Sequence, residues 1–396
     1  NLCHLWIDMR IALITNSRIP SLTANSIQAM KVCQALAQLG HDIRLFAPRE
    51  TEPASWDALR THYGLRDMFD IEWLPSLRAL KRYDFTIHSI LAARKFRADL
   101  VYTWLLNPAV LALWLGWPVV LEIHAEVTGK LGPWMLRRFW RSSTPKQMLV
   151  TTRRLRESVE TASSPKGVAG LKGQEDAVQV APNGVDPAQY ESLPGAAEAR
   201  RHLQLEEKAT VGFTGHIYPG RGADLLFALA GRMTDVNFLW VGGAPDEVAW
   251  WRGRLAEAGA SNVTMTGFVD NSRLPLYQAA ADALLMPYGR SIAASSGQDI
   301  AEVINPMKMF DYMAAGRAIV SADLPVLREV LNEGNAVFCE PGNVEAWERA
   351  LRALLADEPR RLALGAQARK DVAGYTWLAR AERALEGFER GGKKHT

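Results

Sequence analysis

From residue 10 onward, short runs of β-branched and aliphatic residues alternate with stretches of helical periodicity, and this alternation restricts the fold more than any other feature. Residues 11–14 read as a strand, 26–39 as a helix closing at Gly40, and 43–46 as the next strand. Strands this apolar are buried on both faces, which in a βαβ chain means a parallel sheet with helices on either side. The pattern recurs at 100–101, 119–123 and 147–151. It then begins again, with strands at 211–213, 238–241, 263–265, 283–286, 318–321 and 336–338, separated by helical stretches. The expected fold class is α/β, with two Rossmann-like sheets in tandem. At 396 residues the chain also exceeds what one hydrophobic core usually serves.

Turn signals set the expected boundaries. Pro182-Asn183-Gly184-Val185-Asp186 closes the first half and Ser192-Leu193-Pro194-Gly195 follows it. The first domain is therefore expected over 9–190, the second over 199–375, and a C-terminal helix and tail over 376–396. From Arg349 the chain reads as two or three amphipathic helices, ending in a polar terminus, 391–394, expected to fray. The first eight residues read as an extension outside the fold, because Met9-Arg10 directly precedes the first strand, and no signal peptide is evident. Residues 100–120 are apolar enough to imitate a membrane span, but Asn107-Pro108 and Gly116-Trp117-Pro118 cut them into strand, helix and strand. A net charge of only +3 argues against a dedicated nucleic-acid binder. Cys3, Cys33 and Cys339 lie far apart without metal-ligand spacing, and Cys33 sits on an apolar helical stripe. They read as reduced thiols, which points to the cytoplasm.

The chemistry is densest between 287 and 320. Asn305 is a good N-cap, Pro306 suits the first helical position, and Gly316 ends the helix about three turns later. Met307, Phe310 and Ala314 share one face, and Lys308 and Asp311 share another, three residues apart. A helix N-terminus with unpaired N–H groups attracts anions, so a cation and a carboxylate there suit a phosphate attached to something with hydroxyls. The same two residues also read as an i, i+3 ion pair on a solvated face.

With both halves laid out, the sequence resembles the family 4 retaining glycosyltransferases of the GT-B fold, most strongly from 211 to 320. The resemblance implies two Rossmann-like domains facing each other across a cleft, an acceptor side in the first and a donor side in the second, with C-terminal helices packing back toward the first. In the family, a strand followed by a glycine and two spaced cations holds the donor diphosphate. Here the run is Phe213-Thr214-Gly215-His216-Ile217-Tyr218-Pro219-Gly220-Arg221-Gly222, in which Arg221 fits the second cation and His216 stands where arginine is usual. Of the family's two glutamates seven residues apart, Asp311 takes the later place, implying a contact with the nucleotide ribose. Val303 takes the earlier place, with Glu302 one residue off. Thr266-Gly267-Phe268-Val269 resembles the loop whose backbone at Phe268 and Val269 recognises the base, and Gly242-Gly243 a further nucleotide-side loop, which places Gly243 at the donor.

In the first half, Leu121-Glu122-Ile123-His124-Ala125-Glu126 resembles the family's strand ending in a histidine that faces the donor sugar, so His124 joins Arg221 and Lys308 as an expected catalytic residue. The resemblance implies a nucleotide-diphosphate sugar as co-substrate, a glycan or lipid-linked acceptor, and retention without a covalent enzyme intermediate. No Asp-x-Asp motif and no His/Cys cluster with ligand spacing occurs, so no metal is expected; Arg221, Lys308 and a helix terminus supply the positive charge. Between 130 and 156 stand eight basic residues and no acid, with Trp134, Met135, Leu136, Phe139 and Trp140 among them. That composition suits an anionic membrane surface, and equally a partly buried helix with solvated arginines. Two other readings stay open, a catalytically degenerate GT-B subunit and a sugar-nucleotide 2-epimerase-like enzyme. A redox dinucleotide enzyme is disfavoured, because Thr15-Asn16-Ser17-Arg18 stands where Gly-x-Gly-x-x-Gly would follow the first strand.

Overall fold

The computed structural model describes residues 8–50, 52–80, 82–129, 131–163, 178–293 and 298–388. The expected N-terminal extension, the frayed terminus and Cys3 lie outside the described residues, apart from Asp8. Cα packing divides the chain into two units, 1–183 with 377–396 and 184–376.

In the first unit, seven strands form one parallel sheet: β1 (Arg10–Ile14), β2 (Asp42–Pro48), β3 (Asp70–Leu74), β4 (Leu100–Thr103), β5 (Val119–Ile123), β6 (Lys146–Val150) and β7 (Val178–Val180). Their order is β3-β2-β1-β4-β5-β6-β7. The central strands are buried along nearly their whole length, as their apolar runs require. The edge strands β3 and β7 were not legible; β3, Asp-Ile-Glu-Trp-Leu, is half-exposed and its polar residues hide the strand pattern. The apolar stretch after 100 is strand, helix (Leu106–Trp114) and strand; Gly116-Trp117-Pro118 divides the helix from the second strand as expected, whereas Asn107 and Pro108 fall in the helix's first turn.

The second unit repeats the design. Strands β8 (Thr210–Thr214), β9 (Asn237–Val241), β10 (Val263–Gly267), β11 (Ala283–Met286), β12 (Ala318–Ala322) and β13 (Val337–Cys339) are parallel in the order β10-β9-β8-β11-β12-β13. In both sheets the winding reverses beside the first strand, between β1 and β4 and between β8 and β11. Open α/β sheets bind ligands beyond the strands' carboxyl ends at such a reversal.

The division between units falls at Asn183/Gly184, inside the expected turn at 182–186 and ahead of the first domain's expected end at 190. Val185 and Tyr190 are buried in the second unit's core, and the Tyr190 hydroxyl donates to Gln278 Oε1 at 3.0 Å, so this turn-rich segment is part of that unit. The chain returns at Trp377. The helix Trp377–Leu385 packs on Ala24–Gln38 of the first unit, whereas Val344–Ala356 and Glu358–Asp371 stay with the second.

Candidate active site

Three glycines shape the carboxyl ends of β8, β9 and β10. Gly215 donates its N–H to Val241 O at 2.8 Å, and Gly242 donates to Gly267 O at 2.8 Å. All three hold positive φ, and a Cβ on Gly242 would stand 2.4 Å from Gly215 O, so only glycine lets these strand ends close together. The loop after β8 is then tied to the loop after β11. Gly289 donates to Gly220 O at 2.8 Å, and Ala293 to Pro219 O at 3.2 Å. A Cβ on Gly220 would lie 1.9 Å from Ser291 O. Further along, Asp299 Oδ1 accepts the Ile292 and Ala301 N–H groups, each at 3.0 Å.

Into this glycine-walled corner reach two cations from different elements. Arg221 precedes the helix Ala223–Arg232, whose cap is Gly222 at φ 93°. Lys308 lies in the first turn of the helix Met307–Ala315, and its Nζ would stand 3.0 Å from a Cβ on Gly215. Although the Lys308 stem is partly exposed, Nζ is closed off from solvent and has no hydrogen-bond partner; the same holds for Arg221 Nε. Nζ sits 3.8 Å over the Phe213 ring and 5.6 Å from that of Tyr288. Burial, then the positive charge of Arg221, hold the Lys308 ammonium well below the usual lysine range, with Asp311 acting the other way. A buried cation costs several kcal/mol, on the order found for charges held in protein interiors, unless an opposite charge offsets it.

Asp311 is half-buried on the same helix as Lys308. Burial, then the Asp311 charge, raise the Tyr190 phenol well above its ordinary value, which places the carboxylate beside that ring. Tyr312 holds the helix against β8 by accepting the Thr214 N–H at 2.7 Å. The cap differs from expectation: Pro306 is the N-cap, with ψ 129° and no side-chain cap bond, and Asn305 is buried one residue earlier. The buried stripe is also broader, comprising Met309, Phe310, Tyr312, Met313, Ala314 and Ala315, while Met307 is only half-buried.

His216 stacks on Tyr218 with ring centroids 4.8 Å apart and planes 3° from parallel. A Cβ on Gly243, at φ 93°, would stand 2.9 Å from Ile217 and 3.0 Å from Val248. Phe268 is 39% exposed beyond the end of β10, and Val269, like Leu274 and Tyr277, packs against the small core around Leu239 and Val241. Glu302 is exposed and Val303 is buried. Eight of the nine expected residues, Gly215, His216, Arg221, Gly243, Phe268, Val269, Lys308 and Asp311, thus stand around the carboxyl ends of one sheet. Tyr190, Tyr288 and Tyr312 were missed; no local pattern marks an aromatic that tertiary packing brings to a strand end.

His124 belongs to the first unit, one residue past β5. Its Nε2 lies 2.5 Å from Glu122 Oε1 and 3.0 Å from the Gln28 amide nitrogen. Burial raises the Glu122 carboxyl, but Arg380 and His124 more than offset it and hold the group far below the usual carboxylate range. Among the described residues no cluster of three His, Cys, Asp or Glu side chains is arranged to hold a metal ion.

Two family models match this chain, one per unit: "Glycosyltransferase Family 4" over residues 26–189 and "Glycosyl transferases group 1" over 208–357. The chain belongs to glycosyltransferase family 4. Within the family, a phosphatidyl-myo-inositol mannosyltransferase of Mycolicibacterium smegmatis is 30% identical over 221 residues, 54% of this chain and 52% of its own. A GDP-mannose-dependent alpha-mannosyltransferase of Mycobacterium tuberculosis is 25% identical over 96% of both chains. The chain spans about half the length of the first curated relatives it matches. Among solved structures, HepE of Anabaena with UDP and glucose superposes with a TM-score of 0.72 over 96% of this chain and 100% of its own, at 16% identity, a likeness of fold. In this family 4 chain the second matched span holds the whole cationic corner and the first holds His124. The helix carrying Arg380 lies beyond both.

Proposed function

We propose that this protein moves a sugar from a nucleoside-diphosphate sugar to a hydroxyl of a glycan or lipid-linked acceptor, in the assembly of a surface polysaccharide or glycolipid. The observation that carries this reading is the pair of buried, unpartnered cationic nitrogens, Arg221 Nε and Lys308 Nζ, in a glycine-built corner beside a helix N-terminus. A diphosphate supplies the missing counter-charge. As the glycosidic bond breaks, charge grows on the leaving diphosphate, and fixed cations there stabilise the transition state more than the ground state. Because two cations and a helix terminus provide that charge, we propose that no metal ion is required. In this reading Asp311 accepts ribose hydroxyls and the Phe268–Val269 backbone meets the base. His124 is assigned to the donor sugar, and the acceptor hydroxyl attacks the face from which the diphosphate leaves, giving retention. The GDP-mannose-dependent relative and the UDP-bound neighbour support a nucleoside-diphosphate donor.

The test is a thermal-shift panel of UDP, GDP, ADP, TDP and CMP with their sugar conjugates, each with magnesium and with EDTA. Ligand at about a hundred times its dissociation constant adds roughly 2.7 kcal/mol, a shift of a few degrees. One nucleotide family stabilising equally in EDTA is the expected result. No shift with any of them would leave a degenerate, non-catalytic subunit as the better reading.

For the acceptor, we propose that the first unit rests on an anionic membrane surface. Three helices packed in succession carry exposed apolar residues: Tyr83, Ile87 and Leu91 on Tyr83–Phe96, Trp114 (81% exposed) on Leu106–Trp114, and Leu131 and Trp134 on Leu131–Arg141. The Arg138 guanidinium lies 5.3 Å from the Trp134 ring centre, leaving a cation at the edge of the apolar patch. Among the described residues no helix is long and apolar enough to cross a membrane, so such contact is peripheral.

A further inference from the structure

The most completely bonded buried polar cluster in the first unit surrounds Glu122. Its Oε2 accepts the Tyr102 hydroxyl at 2.5 Å and Arg380 Nη1 at 3.2 Å. Its Oε1 accepts Arg380 Nη2, the Gln28 amide and His124 Nε2. Arg380 thus forks onto both carboxylate oxygens, and its Nε donates to Pro182 O at 3.1 Å. Glu122 is 1% exposed and Arg380 3% exposed. Their partners come from β4, β5, the helix Ala24–Gln38 and the helix Trp377–Leu385, while Asn183, at the crossing to the second unit, meets the Gln28 amide at 3.3 Å.

A carboxylate with five donors has no proton of its own to give, so the hydrogen between Glu122 and His124 sits on the imidazole. Among the described residues no hydrogen bond reaches His124 Nδ1, and the side chain is 27% exposed. We propose that Glu122 and Arg380 are positioning residues for His124: the ion pair fixes the imidazole as the Nε2–H tautomer and leaves Nδ1 as the lone pair presented to the ligand. Arg380 arrives only after the chain has left for the second unit and returned, 258 residues beyond Glu122. The returning helix is therefore part of the support of an active-site side chain, besides covering the core. This inference rests on the proposed role of His124 for its catalytic consequence, though not for the tautomer itself.

The experiment is 15N NMR of the imidazoles in the full chain, for wild type, Glu122→Gln, Arg380→Met and the double variant. UDP binding is measured alongside, with release of UDP from UDP-glucose and of GDP from GDP-mannose. The double variant removes both buried charges together and keeps a folded comparison if either single change unfolds the unit. The expected result is a His124 ring locked as Nε2–H in wild type and a mixture of tautomers in the variants. Turnover falls at least tenfold in kcat, and UDP affinity, which belongs to the second unit, is unchanged. A ring that stays Nε2–H in the double variant, or a wild-type ring that is Nδ1–H, overturns the proposal. Wild-type turnover in His124→Ala together with the expected tautomer shift would instead sink the catalytic role of His124 and leave the positioning intact.

Discussion

At the scale of single residues, Lys308 shows a conflict between stability and binding. Its ammonium is held well below the usual lysine range by burial and by Arg221, so the folded chain binds that proton less tightly than the unfolded chain does. Stability contributed at this site therefore rises with pH up to the ordinary lysine value and falls as the pH drops below it. Lys308→Met removes the buried cation at similar volume, and we expect it to stabilise the empty protein by about 1–2 kcal/mol. The same change abolishes the nucleotide-induced shift and lowers turnover by orders of magnitude, as Arg221→Ala also should. Thermal melts with and without nucleotide check both halves; a destabilised Lys308→Met would mean that the cation has a counter-ion after all. The glycines give a second contrast. Gly220→Ala meets Ser291 O at 1.9 Å, whereas Gly267→Ala, at φ 74°, meets nothing within 4 Å. The second change carries only the left-handed backbone cost of about 1–2 kcal/mol, and the first adds a clash that must move a loop. Urea melts should rank them in that order, and equal costs would count against the packed geometry of the corner.

At the scale of elements, all six strands of the second sheet could be read from the sequence because each is an apolar run bounded by turn residues. β3 and β7 escaped because Asp70, Glu72 and Gln179 break up their short apolar runs, whereas the edge strands of the second sheet stand out. The helix Tyr83–Phe96 escaped for a related reason. It exposes Tyr83, Ile87 and Leu91 as well as burying Phe85, Ile90 and Ala93, so its periodicity is blurred by a second apolar stripe. Arg221, Lys308 and Asp311 were legible because glycine-flanked cations and a helix start are local signals. Tyr190 was not, since its place beside Asp311 depends on the segment after 184 joining the second core. The unpartnered stripe leads to a prediction at this scale. Replacing Arg137, Arg138 and Arg141 with serine should weaken binding to anionic vesicles by about 1 kcal/mol per residue near the surface. Ile87→Ser with Leu91→Ser should weaken it in high salt as well, where the charge contribution is screened. Sedimentation with vesicles of phosphatidylglycerol and phosphatidylcholine separates the two contributions; binding untouched by both sets of changes would remove this face from the acceptor side.

At the scale of the whole molecule, the chain crosses between its two units twice, at 183/184 and at 376/377, and each unit has its own parallel sheet and core. The first crossing falls in the turn read at 182–186, ahead of the domain end expected at 190, because Val185 and Tyr190 are committed to the second core by burial, which no turn motif reports. Two cores of this size should melt as two calorimetric transitions, since cooperativity is a property of a core and not of a chain. Every residue assigned to the diphosphate, ribose and base lies within 184–376. Saturating nucleoside diphosphate should therefore raise one transition by about 2.7 kcal/mol at a hundredfold excess over its dissociation constant and leave the other unmoved. Arg380→Met should do the reverse. It strands the buried Glu122 carboxylate, at a cost of roughly 3–5 kcal/mol for breaking such a pair, and so should lower the transition of the first unit alone. The two perturbations identify the two transitions independently. If nucleotide and Arg380→Met moved the same transition, the nucleotide site would have to draw on residues of the first unit, and its assignment to the second sheet alone would fail.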